Sequence, residues 1–499
     1  MGKPTEECRR APQSAVSAME RRGIKFGTFL TILAVLVGIY YRSLENPLQT
    51  RLTAVLKALE KVESKHEIPV RRKVAIGYGI CTDVYIDAKS LLHYSNDIGN
   101  PEHFDEITTR EQLLKSFAYY FRYGAAAERY MPNTTLFDEL VSQARSFPSS
   151  YSTIGGNAAV MAFRFLREGC DVMLAATMTQ SLHQMIPESI KVVGGRVDRD
   201  DTHLVLEYKN GEYWGPYSSV RANRYIIHND VNNPMVSSLD EFDTLLTESR
   251  PDLFVVSGLQ VMDNYPYVEG QRRDLLLKIK KQMISQSEST KIHFEMASFV
   301  EESLLSDLIN LLIPYTDSLG MNEQELANLY SSMYYGNISL VTNSNPRVAT
   351  VLDQMRTLLK LMWEKGQSFE NARKLSRIHV HTLAYQAILI VKNSAWQNLI
   401  AAAAKASLTA NRHVCGSSDV DLHKAALIMD DSFSTSIKNG KRIPFNVDKP
   451  VSCWEELIKC SGDTVVVEVC VAPVLVCTKA SQTAGGGDNI SSAGLVLQI

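Results

Sequence analysis

The chain has 499 residues, which exceeds the usual size of one domain, and 45% of them are apolar, enough for a sizeable core. Its formal net charge of −3 is small for this length and the sequence shows no dense basic face, so we expect no nucleic-acid partner. The eight cysteines form no CxxC pair and no zinc-type spacing with histidine, which argues against metal binding through thiolates.

The N-terminus predicts a membrane segment. A basic tail, residues 1–25, precedes an apolar run over residues 26–42, and a helix-prone linker follows over residues 43–70. The run is short against the roughly 17–25 residues of a spanning helix, and a cleavable signal peptide is its main rival. Because no clear A-x-A-like exit follows it, we favour an uncleaved anchor. The basic flank stays cytosolic, so the rest of the chain would lie in the lumen of the secretory pathway.

From Arg71 onward, short apolar runs alternate with helical segments. This alternation predicts a mostly parallel sheet covered by helices on both faces, and ligands in such sheets bind beyond the carboxyl ends of the strands. The predicted strands are Val74–Gly79, Cys170–Ala175, Leu253–Val256, Lys291–Glu295, Ile378–His381 and Val474–Cys477, and the main predicted helices are Ala158–Arg167, Gly270–Ser285, Val300–Leu312 and Arg347–Trp363.

One segment departs from this pattern. His203–Tyr208 alternates in polarity, Lys209–Gly211 has turn residues, and Glu212–Trp214 resumes as a strand, which predicts a hairpin. Antiparallel strands among strand–helix units indicate a small lid inserted into the large domain.

The glycine-rich stretch Thr483–Asp488 comes after the apolar run Val474–Cys477 and before a helical pattern. It predicts a strand that turns sharply into a helix N-terminus, where free backbone N–H groups cradle an anion. Asp488 would then take a proton from an attacking hydroxyl. The alternative is a glycine turn whose Asp caps the helix.

Two further motifs could bind a hydroxylated ligand. Gly156 and Asn157 open a helix after Tyr151–Ile154, and Asn157 offers both a donor and an acceptor. Glu128 follows a run of small residues, where a carboxylate can face sugar hydroxyls. The alternative interpretations are structural punctuation for the glycines and a solvated charge pair for Glu128.

Candidate groups for a phosphorylated ligand are scattered along the chain. Glu295 and Glu325 suit magnesium, which prefers oxygen ligands and keeps several waters, although each alone could be a surface acid or a helix cap. Arg224 could clamp a phosphate, and otherwise is one solvated arginine among many. His381 shares a strand face with His379, which fits a base contact or half of a metal pair.

In chain order, the motifs CTDV, GAAAER, GGNAA, HLVLEY, ANRYI, HFEMAS, SLGMNEQEL, RIHVHTL and TAGGGD resemble the ADP-dependent glucokinases of animals, within the ribokinase-like superfamily. The resemblance runs from about Arg71 to Ile499. It implies a three-layer α/β/α kinase domain over residues 71–499, with β-rich lid segments at roughly 84–150 and 195–230. It also implies transfer of the β-phosphoryl group of ADP to the 6-hydroxyl of glucose.

The resemblance assigns roles to individual positions. It implies one magnesium ion per site, ADP as co-substrate and a monomer located at the endoplasmic reticulum membrane, or secreted if the signal is cleaved. It also implies a disulfide between Cys415 and Cys477. The implied site residues are Asp488 as catalytic base and metal neighbour, Glu295 and Glu325 near the metal, and Asp83, Glu128, Gly156, Asn157 and His203 on the sugar side. On the nucleotide side they are Arg224 at a phosphate, His381 at the adenine, and Gly485 and Gly487 in the anion cradle.

The chain departs from the family pattern at Gly79, where relatives commonly carry an asparagine. The departure bears on sugar preference and not on the phosphoryl transfer. Two rival functions remain, an ADP-dependent phosphofructokinase and a catalytically silent luminal sensor. A basic cluster around the sugar would favour the first, whereas retention of Asp488, Glu295 and Glu325 argues against the second.

Overall fold

The computed structural model describes residues 31, 33–35, 47–65, 71–460 and 462–499. The chain divides into two compact units, Met1–Thr53 and Ala54–Ile499. The described positions of the first unit are helical, and the helix Pro47–Glu63 begins within it. The predicted membrane segment, residues 26–42, lies outside the described residues except for 31 and 33–35, so it stays a prediction. No helix among the described residues is both long enough and apolar enough to cross a membrane.

Two β-sheets organise the second unit. A ten-stranded sheet, here the large sheet, has the order β19-β20-β15-β14-β13-β12-β11-β1-β5-β6, and a five-stranded sheet, the small sheet, has the order β3-β10-β7-β2-β4. The strands are β1 Lys73–Gly77, β2 Cys81–Asp87, β3 Ala127–Tyr130, β4 Tyr151–Gly155, β5 Asp171–Ala175, β6 Ile190–Val193, β7 Thr202–Tyr208, β8 Tyr213–Trp214, β9 Tyr217–Ser218, β10 Asn223–His228, β11 Leu253–Val256, β12 Lys291–Glu295, β13 Ser318–Asn322, β14 Arg377–His381, β15 Tyr385–Val391, β16 Ala425–Leu427, β17 Ser432–Ser434, β18 Arg442–Pro444, β19 Ser452–Cys460, β20 Asp463–Pro473 and β21 Leu475–Cys477.

Strands β14 to β6 of the large sheet run parallel, and β15, β20 and β19 extend it by antiparallel pairing. This confirms the predicted mostly parallel α/β sheet. The α-helices are α1 Pro47–Glu63, α2 Ala88–Leu91, α3 Arg110–Tyr123, α4 Thr134–Ser146, α5 Asn157–Arg167, α6 Gln180–Gln184, α7 Leu239–Ser249, α8 Gln271–Ser285, α9 Glu302–Leu311, α10 Glu323–Tyr335, α11 Val348–Gly366, α12 Leu399–Cys415 and α13 Gly486–Val496.

Both faces of the large sheet are buried. Successive side chains of a strand point to opposite faces, so Leu253 and Val255 of β11 pack with α5, α12 and α13, while Phe254 and Val256 pack with α7, α8, α9 and α11. A third apolar cluster joins the small sheet to α3 and α4. The continuous apolar runs of the sequence thus correspond to strands covered by helices on both sides.

The predicted hairpin after β7 is wrong. Strand β7 is the centre of the small sheet and pairs with β10 and β2, whereas β8 pairs with β9. The chain turns at Lys209–Glu212 as predicted, but Trp214 is buried and its indole N–H donates to the carbonyl of Leu92. The Trp214 ring also packs against Phe117 of α3, with ring centroids 5.2 Å apart, so β8 is held away from β7 and the longer β10 pairs with β7 instead.

The strand predicted before the glycine turn also differs. Strand β20 of the large sheet ends at Pro473, and the N–H of Val474 still donates to the carbonyl oxygen of Ala384 at 2.8 Å, but the rest of Val474–Cys477 does not continue this sheet. Instead β21 pairs with β16 in a two-stranded ribbon, and residues 478–485 form a loop before α13. The helix start was predicted correctly, but the sharp strand-to-helix turn was not.

Candidate functional site

The glycine-rich turn begins α13. Gly485 is its N-cap residue with a φ of 68°, a left-handed conformation that favours glycine. A Cβ atom at Gly487 would lie 2.9 Å from Cε1 of His381, so a side chain there would displace this histidine. The turn is fixed to the rest of the domain, because His413 Nε2 lies 2.8 Å from the carbonyl oxygen of Ala484. The backbone N–H groups at the start of α13 are therefore held in place, and N–H groups at a helix start are suited to binding an anion.

Asp488 is the third residue of α13 and does not cap the helix. Its Oδ1 accepts a hydrogen bond of 2.8 Å from Nδ2 of Asn157, and Oδ1 of Asn157 accepts one of 2.6 Å from Nε2 of Gln260. Burial and the charge of Glu295 raise the pKa of the Asp488 carboxyl to about 7. A carboxyl that titrates near neutrality at a helix N-terminus can accept a proton at physiological pH.

Glu295 ends β12 and is buried. Its oxygens accept hydrogen bonds of 2.8 Å from His293 Nε2 and Ser491 Oγ, and His381 Nε2 lies 3.9 Å away. Burial opposes ionisation, but the hydrogen bond from His293 and the neighbouring His381 lower the pKa of Glu295 to about 2. Glu295 is therefore a fixed negative charge.

Glu325 lies on α10, which begins directly after β13. Both of its oxygens accept hydrogen bonds from Asn322, from the backbone N–H at 2.8 Å and from Nδ2 at 2.7 Å, which completes a capping box. Burial, together with the charges of Glu295 and Asp488, raises the pKa of Glu325 well above its ordinary value. Glu325 is thus a helix cap that also belongs to the same electrostatic cluster as Asp488 and Glu295.

These three carboxyl groups fit a divalent cation. The charge of Glu295 raises the cost of ionising Asp488, and the charges of Glu295 and Asp488 raise that of Glu325; a bound cation would offset these costs. Because both oxygens of Glu295 and of Glu325 already accept hydrogen bonds, these groups suit a magnesium ion held through its waters.

Arg224 belongs to the small sheet but acts on the same cluster, because its positive charge lowers the pKa values of Asp488 and Glu325. Its Nη1 donates to Oδ1 of Asn223 at 3.2 Å, and its buried Nε has no hydrogen-bond partner among the described residues. A second link between the sheets comes from Glu207, whose Oε1 accepts hydrogen bonds from the N–H and the hydroxyl of Thr483. The structure therefore joins the small sheet to the glycine turn.

The sugar-side candidates lie together on the small sheet. Asp83 and His203 are paired neighbours on β2 and β7, and Oε1 of Glu128 lies 3.8 Å from Nδ1 of His203. Burial raises the pKa of Asp83, whose oxygens accept hydrogen bonds from the Cys81 thiol at 3.3 Å and the Tyr85 hydroxyl at 3.1 Å. Oε1 of Glu128 is buried and has no hydrogen-bond partner among the described residues. An unpaired buried acceptor of this kind suits a ligand hydroxyl.

Two glycines make room for the sugar-side side chains. Gly156 is the N-cap residue of α5 with a φ of 89°, and a Cβ atom there would lie 3.1 Å from Cα of Ile80. At Gly155 a Cβ atom would clash with the carboxylate of Asp83. Both positions thus need glycine, one for its conformation and one for space.

The structure brings all of the predicted site residues to two adjoining clusters, but it adds residues that the sequence did not indicate. Asp230 accepts a hydrogen bond of 3.0 Å from His203 Nε2, and Gln260 holds the amide of Asn157. Asp230 follows the end of β10 and Gln260 follows the end of β11. The rule that polar residues collect after strand ends, applied to the segments after β10 and β11, also predicts Asp230 and Gln260.

An open cleft of about 520 Å³ lies next to the turn that follows His381. Its lining includes Tyr385, Arg347, Met429 and Phe433, which combine apolar surface with a cation. A flat, partly apolar ligand group suits such a cleft.

The chain is similar to known proteins over most of its length. Residues 72–497 match a family model described as the ADP-specific phosphofructokinase/glucokinase conserved region. An ADP-dependent glucokinase of Bos taurus is 33% identical over 434 residues, covering 85% of this chain and 84% of the relative. A probable ADP-dependent glucokinase of Caenorhabditis elegans is 29% identical over 436 residues, covering 85% of each chain.

The phosphofructokinase matches are shorter in sequence. An ADP-specific phosphofructokinase of Thermococcus litoralis is 31% identical over 88 residues, or 17% of this chain and 19% of the relative. Among solved structures, an ADP-dependent kinase in complex with fructose-6-phosphate and ADPbetaS aligns with a TM-score of 0.59 at 15% identity, covering 90% of this chain and 97% of that one. At this identity the structural likeness shows a shared fold.

Proposed function

The chain belongs to the ADP-specific phosphofructokinase and glucokinase family, and from this premise we propose that it is an ADP-dependent glucokinase. It transfers the β-phosphoryl group of ADP to the 6-hydroxyl of glucose, and the products are AMP and glucose 6-phosphate. The observation that carries the proposal is the buried Asp488 at the start of α13, beside Glu295, Glu325 and Arg224. It agrees with curated glucokinase relatives that match over most of both chains.

Asp488 acts as the general base in this proposal. Its carboxylate accepts the proton of the 6-hydroxyl while the oxygen attacks phosphorus, and the hydrogen bond from Asn157 orients the accepting oxygen. The N–H groups at the start of α13 and the guanidinium of Arg224 meet the negative charge that spreads over the transferring phosphoryl oxygens. Fixed groups of this kind supply most of the acceleration in phosphoryl transfer, because they need no rearrangement during the reaction.

Glu295, Glu325 and Asp488 would hold magnesium, whose charge would neutralise the phosphate oxygens of ADP. His381, which the resemblance put at the adenine, lies against Gly487, so it would border the phosphate end of the nucleotide together with Gly485 and Gly487. The cleft beside Tyr385 would take the adenine. The small sheet would close as a lid over both substrates and exclude water, which otherwise competes with glucose as the phosphoryl acceptor.

Asp83, Glu128, Asn157 and His203 would bind the hydroxyl groups of glucose, with Gly156 giving close access to the backbone. A phosphofructokinase must bind a sugar that already carries a phosphate dianion. The carboxylates of Asp83 and Glu128 would repel that dianion, whereas they accept hydrogen bonds from a neutral sugar. This charge pattern favours glucose over fructose 6-phosphate.

The decisive experiment compares glucose with fructose 6-phosphate, each with ADP and with ATP, in a phosphoryl-transfer assay. We expect glucose 6-phosphate to form from glucose and ADP. Product that forms with ATP but not with ADP would contradict the proposal. Asp488→Asn should keep ADP binding but lose roughly a hundredfold or more in turnover, because it cannot accept the proton. Turnover close to that of the unmodified enzyme would exclude Asp488 as the base.

The remaining properties are proposed from the sequence. We propose that the basic tail and apolar run anchor the kinase in the endoplasmic reticulum membrane with its catalytic domain on the luminal side, or lead to its secretion if the segment is cleaved. We further propose that the kinase is a monomer. Protease protection in sealed microsomes tests this, since a luminal domain is degraded only after detergent opens the vesicles.

A further inference from the structure

We propose that Cys81, Asp83, Glu128 and His203 form a binding site for Zn²⁺ or a similar divalent cation, and that the bound cation excludes the sugar. The spacing of cysteines and histidines in the sequence argued against a thiolate site, but the small sheet brings these residues together from three strands. The exclusion of sugar rests on the proposed function, whereas the cation site does not.

Two separations between ligand atoms match those of a tetrahedral zinc site, and Glu128 joins the three-residue group of Cys81, Asp83 and His203 through its contact with His203. Ligands at about 2.0–2.3 Å from zinc lie roughly 3.3–3.8 Å from one another. The Cys81 sulfur lies 3.3 Å from Oδ1 of Asp83, and His203 Nδ1 lies 3.8 Å from Oε1 of Glu128. One ligand atom from each of Cys81, Asp83 and His203 falls within 4.8 Å of the other two.

The histidine is already oriented for a metal. Asp230 is fully buried and accepts from Nε2 of His203 at 3.0 and 3.1 Å, which leaves Nδ1 directed at the side where Glu128 lies. A carboxylate that fixes the second nitrogen of a histidine is the usual outer-shell arrangement of zinc sites. Asp230 is itself supported by Nδ2 of Asn233 at 3.0 Å.

The second observation that indicates a ligand is Oε1 of Glu128, which has no hydrogen-bond partner among the described residues although Nδ1 of His203 lies 3.8 Å away. A cation would satisfy this buried acceptor and would neutralise the adjacent carboxylates. Burial raises the pKa of the Cys81 thiol, and the charge of Asp230 outweighs burial and raises the pKa of His203, so a metal must displace one proton from each residue to solvent. No redox change or other reactant is needed.

The same atoms would contact the sugar, which gives the proposal its functional consequence. Zinc at this site would raise the KM for glucose without changing the KM for ADP. Zinc that instead replaced magnesium near Glu295 and Glu325 would change the kinetics with ADP.

Cobalt(II) titration of the purified full-length chain tests the metal site without reference to activity. We expect a thiolate-to-cobalt charge-transfer absorption that disappears when zinc is added and is absent from Cys81→Ser. The matched variant Cys170→Ser should keep the absorption, since Cys170 is a buried free thiol on the large-sheet side. If the band is missing, or survives in Cys81→Ser, the site does not exist. Circular dichroism checks folding, and Cys81→Ala replaces the serine variant if that variant does not fold.

Initial rates at buffered free zinc test the exclusion of sugar. Zinc inhibition should be overcome by glucose but not by ADP, and Cys81→Ser should weaken it at least about tenfold. Inhibition that glucose does not relieve, or that Cys81→Ser leaves unchanged, contradicts the overlap with the sugar site. A chain without glucokinase activity would overturn the proposed function, while the cobalt spectra would still decide the metal site.

Discussion

The hydrogen bond from Asn157 to Asp488 makes the pH dependence of catalysis a test of the site. The Asn157 amide donates to Oδ1 of the carboxylate at 2.8 Å and so favours the charged form that accepts a proton. Asn157→Ala removes this donor while burial and the charge of Glu295 remain. The pKa of Asp488, raised to about 7 in the unmodified enzyme, should therefore rise further.

The size of the shift follows from the hydrogen bond. A hydrogen bond to a charged group is worth about 1.5–3 kcal/mol, and one pKa unit corresponds to about 1.4 kcal/mol, so the pKa should rise by roughly one to two units. At pH 7 the ionised fraction of Asp488 would fall from about a half to between a tenth and a hundredth. Activity at pH 7 should fall roughly five- to fiftyfold for this reason alone, and this part of the loss should disappear at higher pH.

The assay is the pH profile of kcat/KM for glucose, because its acidic limb reports the pKa of the base in the free enzyme. In Asn157→Ala the limb should move to higher pH. Asn411→Ala is a matched control, since Asn411 is a buried asparagine that donates to the carbonyl of Leu475 and not to a carboxylate. The reasoning is refuted if the limb of Asn157→Ala moves by less than about 0.3 units, well below the effect of one such hydrogen bond.

Three further predictions concern single residues or one residue pair. Asp488→Asn should stabilise the fold at pH 8 by up to about 4 kcal/mol, because the pKa of Asp488 in the folded enzyme lies about three units above the ordinary 3.8. The unmodified enzyme loses this stability as the pH rises through that range, so urea unfolding should show a smaller gain from the substitution at pH 5 than at pH 8. Gly155→Ala should raise the KM for glucose at least about tenfold by displacing the neighbouring sugar-side carboxylate, whereas Gly195→Ala, with open space at its Cβ, should not change it. The predicted Cys415–Cys477 disulfide is present and joins residues 62 positions apart. Because a disulfide restricts the unfolded chain, replacing both cysteines by alanine should lower the unfolding free energy by about 4 kcal/mol. An unchanged unfolding midpoint would contradict this.

The parts of the fold that were predictable depend on local pattern. Strands buried on both faces have continuous apolar sequences, so β11 and β12 could be located to the residue. The rule that ligands bind beyond strand ends then selected Glu295 and His381. Parallel pairing in register brings these ends to one edge, since β12, β13 and β14 are consecutive in the large sheet.

The contacts that complete the site could not be obtained in this way. Asn157 and Asp488 are 331 positions apart, and their hydrogen bond depends on how α5 and α13 pack against the same sheet face. Alternating polarity likewise predicted β7 as a strand without determining its partner. The pairing of β7 depends on the burial of Trp214, which lies outside the strand. The alternation of polarity within β7 carries no information about that burial.

Gly79 shows how such a distant contact changes the interpretation of one residue. The absence of the family's asparagine there left the sugar preference open, but the position has a φ of 88°, and a Cβ atom would lie 2.7 Å from Oδ1 of Asn233. Asn233 occupies this space and forms hydrogen bonds with both backbone groups of Ile80, at 3.2 and 3.0 Å. It also donates to Asp230, the residue that orients His203. Gly79 and Asn233 therefore act as a pair, because returning an asparagine to position 79 alone would displace the side chain that supports the sugar-side histidine.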